Sequence, residues 1–357
     1  MQTTDKFRIG FSADFQDERG NVIFPDIGRQ LLHGYDTLIH EFIRDYRTVY
    51  DPSQLAAYDV VVSLKPRVTA ESLCGVSKLC AIGRFGVGYD NIDLAACTES
   101  DVAVYITPEA VRRPMAESIV LFVLALSHNL VLKDRWVRQG RWADSTRQLG
   151  MEPRDRVLGT IGMGGIASEA LRLLQPFGFA RILAFDPYLD ASRFHMMGVE
   201  ETTLDDLLRQ SDYVLINCPL RSDTRHLISR RELGLMRSDA FLINTARGPI
   251  VDEAALIDAL EKGTIRGAAL DVFETEPLDA DSPLMRLDNV ILTSHSVGWT
   301  SELFRDMGKI CCGGALAIYH GEAPPNVVNR EVLDRPGFRA KLDRYRQASH
   351  KSSAQAR

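Results

Sequence analysis

The sequence has no long apolar run. Its longest, Ile119 to Leu126, is far too short to cross a bilayer, and the opening MQTTDKFRIG lacks the apolar core of a secretion signal. A cytoplasmic protein with no membrane contact is expected. Cysteine is sparse and unpatterned. Cys74, Cys80, Cys97, Cys218, Cys311 and Cys312 make no C-x-x-C pair and no Cys/His spacing of a metal site. Neither zinc nor a disulfide framework is indicated, no metal is expected, and the six read as buried, reduced thiols. Positive charge is not in excess either: the net charge of −6 gives no reason to expect nucleic acid or an anionic surface as partner.

With those classes set aside, 357 residues at 45% hydrophobic and 25% charged are enough for two globular domains. Charge is unevenly spread. Residues 335–357 hold seven basic residues against Asp343 alone, so this end is net +6 and the rest of the chain −12. A basic C-terminal tail over 335–357 is expected to be a frayed, solvated terminus, with a binding arm as the alternative.

Val157 to Asp186 carries the most chemistry for its length. A short apolar strand, Val157 to Ile161, runs into Gly162, Gly164 and Ala167, then into an amphipathic segment with Ala170, Leu171, Leu174 and Phe177 on one face. Gly162 permits a tight turn, Gly164 lets the backbone approach a pyrophosphate, and Ala167 stands where a third small residue lets the helix pack on the strand. Gly165 and Ile166 open the helix, whose free N–H groups and dipole suit phosphate. A second strand, Arg181 to Phe185, ends in Asp186, nineteen residues after Ala167. An acid there accepts from ribose hydroxyls and repels a 2′-phosphate, so NAD is expected over NADP. A glycine-rich turn that binds nothing is the plainer alternative.

Residues 7–106 show their own strands, Phe7 to Phe11, Leu38 to Ile43, Asp59 to Leu64, Lys78 to Gly83 and Val102 to Tyr105, with helices expected between them. That alternation predicts a parallel sheet covered on both faces. Turn signals at 63–66 (SLKP, with Lys65) and 83–93 (GRFGVGYDNID) face either a ligand or an ordinary strand-to-helix turn capped by Asp90 or Asn91. The spacing weighs these equally. Pro114 suits the first turn of a helix over 114–129, which is apolar on nearly all sides and needs a second cover, a subunit partner or deep burial. After residue 204 come strands at Asp212 to Asn217, Ala240 to Asn244, Ile265 to Leu270 and Val290 to Leu292. Their ends bring Arg247, Asp271, Glu276 and His295 to the edge of an open α/β sheet where ligands bind. Thr300 to Tyr319 is a helix by periodicity, returning the chain to the first domain.

GVGYDNID (86–93), GMGGIA with Asp186, CPLRSDTRHLI (218–228), NTARGPIVDEAAL (244–256), GAALDVFETEP (267–277) and HSVGWT (295–300), in this order over about residues 55–334, resemble the D-isomer-specific 2-hydroxyacid dehydrogenase family. The resemblance implies an α/β fold of two doubly wound parallel-sheet domains flanking a cleft. The substrate domain would be residues 1–107 and 299–334, and the Rossmann dinucleotide-binding domain, with its dimerisation helix, 108–298. It implies NAD-dependent hydride transfer between a D-2-hydroxy acid and a 2-oxo acid, in a homodimer. By position, Arg247 resembles the arginine on the substrate carboxylate and carbonyl, His295 the catalytic histidine and Glu276 its supporting carboxylate. Asp271 resembles the residue that orients the nicotinamide amide, with Thr245 and Ala246 beside it. Pro219 and Thr224 resemble cofactor-loop positions, and Val87 and Gly88 backbone donors to the substrate. Glu rather than Gln at 276 favours 2-oxo acids over formate.

The EAVRRP stretch at 109–114 departs from the pattern. Arg112 is expected to border the substrate pocket and favour a polar or anionic C3 substituent; the alternative is that Arg112 and Arg113 are solvated or pair across a dimer. Chemically, carbonyl reduction needs a cation on the carboxylate and a proton for the oxygen. Arginine supplies a bidentate clamp, and histidine, titrating near 6.5 with a carboxylate beside it, supplies the proton. Of His33, His40, His128, His195, His226, His320 and His350, none has such a partner in sequence. A different class, an NAD-sensing corepressor-like binding protein on the same fold, remains the alternative to an enzyme.

Overall fold

A computed structural model describes residues 6–355, with side chains to Gln347. The opening MQTTD and the closing Ala356 and Arg357 lie outside the described residues, as do the side chains of His350 and Lys351. The chain divides into two compact units, residues 1–111 with 300–357, and residues 112–299. These divisions fall four residues and one residue from the expected 107/108 and 298/299, and 335–357 groups with the first unit.

The first unit holds a parallel five-stranded sheet: β1 (Phe7–Phe11), β2 (Leu38–Phe42), β3 (Val60–Ser63), β4 (Ala81–Arg84) and β5 (Ala103–Tyr105), in the order β2-β1-β3-β4-β5. Its central strand VVVS is buried throughout, as a strand covered on both faces requires. The connections depart from expectation. They are mostly 3₁₀ turns and short helices, such as Ala13–Phe15, Pro52–Leu55 and Glu71–Leu73. Pro25, Gly20, Gly28, Gly34, Pro66 and Gly75 interrupt those segments before an amphipathic helix can develop.

The missing cover comes from the far end of the chain. Helix Ser301–Tyr319, capped by Thr300, lies on this sheet. Tyr105 donates its hydroxyl hydrogen to the Cys311 carbonyl at 2.7 Å. Gly28 and Gly308 meet backbone to backbone; a Cβ on Gly308 would stand 2.1 Å from the Ile27 carbonyl carbon. A second helix, Pro336–Gln355, replaces the expected frayed tail. Phe338, Leu342 and Tyr345 are buried at helical spacing, and Tyr345 donates to buried Asp59 at 2.6 Å. Lys341 caps the carbonyls of Leu79, Ser100 and Asp101 at 2.7, 3.2 and 2.9 Å. The basic composition concealed an apolar stripe long enough to dock.

The second unit is built on a parallel seven-stranded sheet: β6 (Val157–Ile161), β7 (Arg181–Phe185), β8 (Glu200–Glu201), β9 (Tyr213–Ile216), β10 (Phe241–Asn244), β11 (Gly267–Leu270) and β12 (Val290–Leu292), ordered β12-β11-β10-β9-β6-β7-β8. The order reverses between β6 and β9, the switch point at whose carboxyl ends doubly wound sheets bind ligands. Ile119, Phe122, Val123, Leu171 and Leu174 cover one face. Leu207, Leu233, Leu256 and Leu260 cover the other.

Helix Pro108–Ser127 starts six residues before the expected Pro114, which is internal to it. The ring there removes the bond its own N–H would have given to the Ala110 carbonyl and crowds that carbonyl. Most of Ile119–Leu126 is buried within the unit, but Leu121 is 51% exposed. No single described helix is long and apolar enough to cross a membrane. Five of the cysteines are buried or half-buried as expected, while Cys74 is exposed. Burial raises Cys80 and Cys97 to about 12, so these remain thiols.

Candidate active site

At the switch point, β6 leads into a turn that only glycine can make. Gly162 has φ +87°, and a Cβ on it would stand 2.8 Å from the Cys218 amide nitrogen. Thr160 donates to the Gly162 carbonyl at 2.8 Å, and Asn217 donates to the Thr160 hydroxyl at 3.0 Å. Neither residue was singled out in the sequence, because their contact joins two strands 57 positions apart. Helix Gly165–Leu174 then begins without a side-chain cap, Gly164 being its N-cap. The N–H groups of Gly165, Ile166 and Ala167 are thus free of helical partners. A Cβ on Gly164 would meet nothing within 4 Å. Open backbone, free donors and the positive helix end fit a pyrophosphate.

Asp186, at the end of β7, closes the turn. Its Oδ2 accepts from the Met163 N–H at 2.9 Å and its Oδ1 from the Tyr188 N–H at 3.1 Å. Beyond β9, Thr224 ties its loop by donating to the Pro219 carbonyl and accepting from the Arg221 N–H, both at 2.7 Å. Cys218 is pushed by burial to about 11 and is not a thiolate.

The reactive groups stand at the carboxyl ends of β10, β11 and β12. Asn244 donates to the Arg247 carbonyl at 2.9 Å and accepts from the Ala246 N–H at 3.0 Å, setting the bend that carries Thr245, Ala246 and Arg247. Gly248 lies against backbone; a Cβ there would be 1.9 Å from the Phe273 carbonyl. His295 Nδ1 is 2.8 Å from Glu276 Oε2, while Glu276 Oε1 accepts from the Phe273 N–H at 3.1 Å. Burial alone would raise the Glu276 carboxyl. The hydrogen bond and charge interaction with His295, the Phe273 N–H and the Arg247 guanidinium together hold it below the ordinary value. With Nδ1 occupied, Nε2 is the nitrogen left to exchange a proton with a ligand.

Asp271 does more than the sequence suggested. It is buried, and its Oδ1 accepts from the Thr293 hydroxyl at 2.6 Å, the Ser296 N–H at 2.9 Å and the Val297 N–H at 3.1 Å. Its carbonyl accepts the His295 N–H at 2.8 Å. Asp271 therefore holds the loop in which His295 sits at φ +54°. His226, read as partnerless, pairs through Nε2 with Glu274; a sequence separation of 48 hid the pair.

In the first unit, Val87 and Gly88 follow β4 in a loop stapled by Arg84, whose Nε donates to the Gly88 carbonyl at 2.7 Å. Gly86 has φ +142°, but Gly83 serves packing: a Cβ there would meet the Tyr105 hydroxyl at 2.6 Å. Asp93, not Asp90 or Asn91, caps the following helix Leu94–Glu99. Lys65 follows β3, exposed, its N–H bonded to Asp14 at 2.9 Å.

Arg112, expected either to border the substrate pocket or to be solvated, is exposed and stands beside the dinucleotide turn, its Nε 3.1 Å from where a Cβ on Gly165 would stand. The helix that carries it also passes the His295 loop, since Met115 Sδ would be 2.4 Å from a Cβ on Gly298.

The family model for the D-isomer specific 2-hydroxyacid dehydrogenase NAD binding domain matches residues 120–297. A glyoxylate reductase of Aeropyrum pernix is 36% identical over 335 residues, 88% of this chain and 97% of its own length. The chain belongs to the D-isomer specific 2-hydroxyacid dehydrogenase family. A second glyoxylate reductase, from Korarchaeum cryptofilum, is 37% identical over 78% of this chain and 86% of its own. Among solved structures, a glyoxylate reductase from Paecilomyes thermophila superposes with a TM-score of 0.75 at 26% identity, covering 87% of this chain and 95% of that one. The chain is accordingly an oxidoreductase of the 2-hydroxyacid dehydrogenase class with a nicotinamide dinucleotide cofactor.

Proposed function

We infer that this dehydrogenase reduces a small 2-oxo acid to its D-2-hydroxy acid with NADH, with His295 as proton donor. The observation that carries this reading is the 2.8 Å contact between His295 Nδ1 and Glu276 Oε2. The bound nicotinamide supplies the hydride. Arg247 binds the substrate carboxylate and polarises the carbonyl, bidentate contact being what its planar fork allows. His295 delivers the proton from Nε2 to the oxygen as negative charge builds there, and in the reverse direction neutral Nε2 takes it back. Glu276 fixes the orientation of the ring. Lys65, Val87 and Gly88, in the first unit, are assigned to substrate binding on the family resemblance alone.

Gly162, Gly164, Gly165 and Ile166 hold the pyrophosphate, and Asp186 the adenosine ribose. Pro219, Thr224, Thr245, Ala246 and Asp271 border the nicotinamide half. Working in the cytoplasm as a homodimer, the enzyme would meet substrates of the kind its relatives' names give. Glyoxylate therefore heads the test panel. Hydroxypyruvate comes next, because a glyoxylate/hydroxypyruvate reductase of Sinorhizobium meliloti is among the structural neighbours.

The test is a panel of 2-oxo acids followed by loss of NADH absorbance, run with wild type and His295→Ala. Wild type should turn over one or more of them. His295→Ala should lose about 10²–10⁴-fold in kcat with NADH affinity kept. Full turnover by the variant would put the proton donor elsewhere. NADH binding without reduction of any 2-oxo acid would favour a binding protein instead.

A further inference from the structure

Two adjacent arginines on helix Pro108–Ser127 have opposite circumstances. Arg113 is neutralised, its Nε 2.5 Å from Glu117 and its Nη1 3.1 Å from Glu169. Glu169 in turn is bound by Arg172, and these arginines hold its carboxyl at about 2. Arg112, among the described residues, makes no hydrogen bond or ion pair. The residue is exposed, but its guanidinium leans toward the dinucleotide turn. It rests over Gly165, with Nε 3.1 Å and both Cζ and Nη2 3.6 Å from where a Cβ would stand, at the first residue of the uncapped helix Gly165–Leu174.

A cation held there is unfavourable in the absence of an anion, because the helix N-terminus is itself the positive end of a dipole. Glu169, one turn along, is the nearest acid on that helix and is already satisfied by Arg113 and Arg172. Gly165 leaves room for the approach: a Cβ at 165 would make the guanidinium give by a few tenths of an ångström. Unpaired cation, free amides and absent side chain make one positive cradle.

We propose that Arg112 is a pyrophosphate-binding residue of this enzyme, closing over the dinucleotide phosphates from the helix opposite the Gly162–Ala167 turn and taking no part in recognising the substrate's C3 substituent. The proposal rests on the dinucleotide occupying the Gly162–Asp186 turn. A planar guanidinium can donate two hydrogen bonds to phosphate oxygens while the amides of Gly165 and Ile166 hold others, and an ammonium could not match that geometry. The contact is solvent-accessible, so it should be sensitive to salt.

Calorimetric titration with ADP-ribose, which has the pyrophosphate and lacks nicotinamide, and with adenosine, which has neither, tests this on the intact protein. Wild type should bind ADP-ribose. Arg112→Ala should weaken ADP-ribose and NADH roughly tenfold, leave adenosine unchanged and flatten the salt dependence of ADP-ribose binding. Arg112→Lys should fall between, Gly165→Ala should show a smaller loss, and Arg113→Ala should bind as wild type. In steady state, Arg112→Ala should raise KM for NADH with kcat nearly kept. Unchanged ADP-ribose affinity in Arg112→Ala, an equal loss for adenosine, or an effect confined to the 2-oxo acid KM overturns the proposal while leaving the dinucleotide site in place. Failure of wild type to bind ADP-ribose overturns both.

Discussion

Glu276 divides its oxygens between backbone and side chain, and both contacts favour the carboxylate. In the folded protein it titrates below the ordinary glutamate value, so its contribution to stability is complete above that value and is lost as pH falls through the depressed range. The side chain is 37% exposed, so solvent screening keeps the effect small. In catalysis the same group should matter more. Glu276→Gln keeps a hydrogen bond to His295 and removes the charge beside it, so kcat should fall in both reduction and oxidation with KM for NADH kept; unchanged kcat would mean that Glu276 does not act on His295. Asp186 carries a second expectation. A 2′-phosphate would meet like charge there, worth about 1–3 kcal/mol, so NADH should exceed NADPH roughly tenfold to hundredfold in kcat/KM. Equal values for the two would refute it. The placing of Arg247, Glu276 and His295 after strand ends was legible because each stands in a short motif. Asp271's hold on the 293–297 loop and the His226–Glu274 pair were not, since both join residues far apart in sequence.

Helix Pro336–Gln355 shows how composition can mislead about an element. Its charges read as a solvated end, yet Phe338, Leu342 and Tyr345 recur at spacings of four and three, the signature of a helix with one apolar face. Full burial of such side chains is worth about 1.5–3 kcal/mol each. Leu342→Ala should therefore cost about 2–5 kcal/mol in chemical denaturation. Tyr345→Phe, which strips the donor from Asp59, should cost about 1–3 kcal/mol. A loss within error for both would return the segment to the status of a tail. The strands were read more closely: β1, β6, β7 and β12 fall at the expected residues, because their apolar runs end at serine, glycine, aspartate or threonine. The first unit's connectors were not, because 3₁₀ turns leave little periodicity to read.

On the scale of the whole molecule, Leu121, Leu130, Val137, Trp142 and Leu149 leave apolar side chains exposed in one stretch of the second unit, Trp142 by 76%. Exposed apolar residues in that number suit a self-complementary contact. Light scattering should give a dimer, and Leu121→Asp should shift it toward monomer; a monomeric wild type would contradict the assignment. The division into two units was visible from the two sets of strands. Its limits were not, since the boundary falls inside a continuous helix where no turn residue marks it.

The first sheet draws its cover from Ser301–Tyr319 and Pro336–Gln355, while the second unit is one uninterrupted stretch. During synthesis the order of folding must then run against the order of translation. Residues 112–299 can close as soon as they leave the ribosome, whereas β1 to β5, made first, wait with one face bare until the last part of the chain arrives. A nascent chain arrested after residue 299 should resist protease over its second half and be cut in its first.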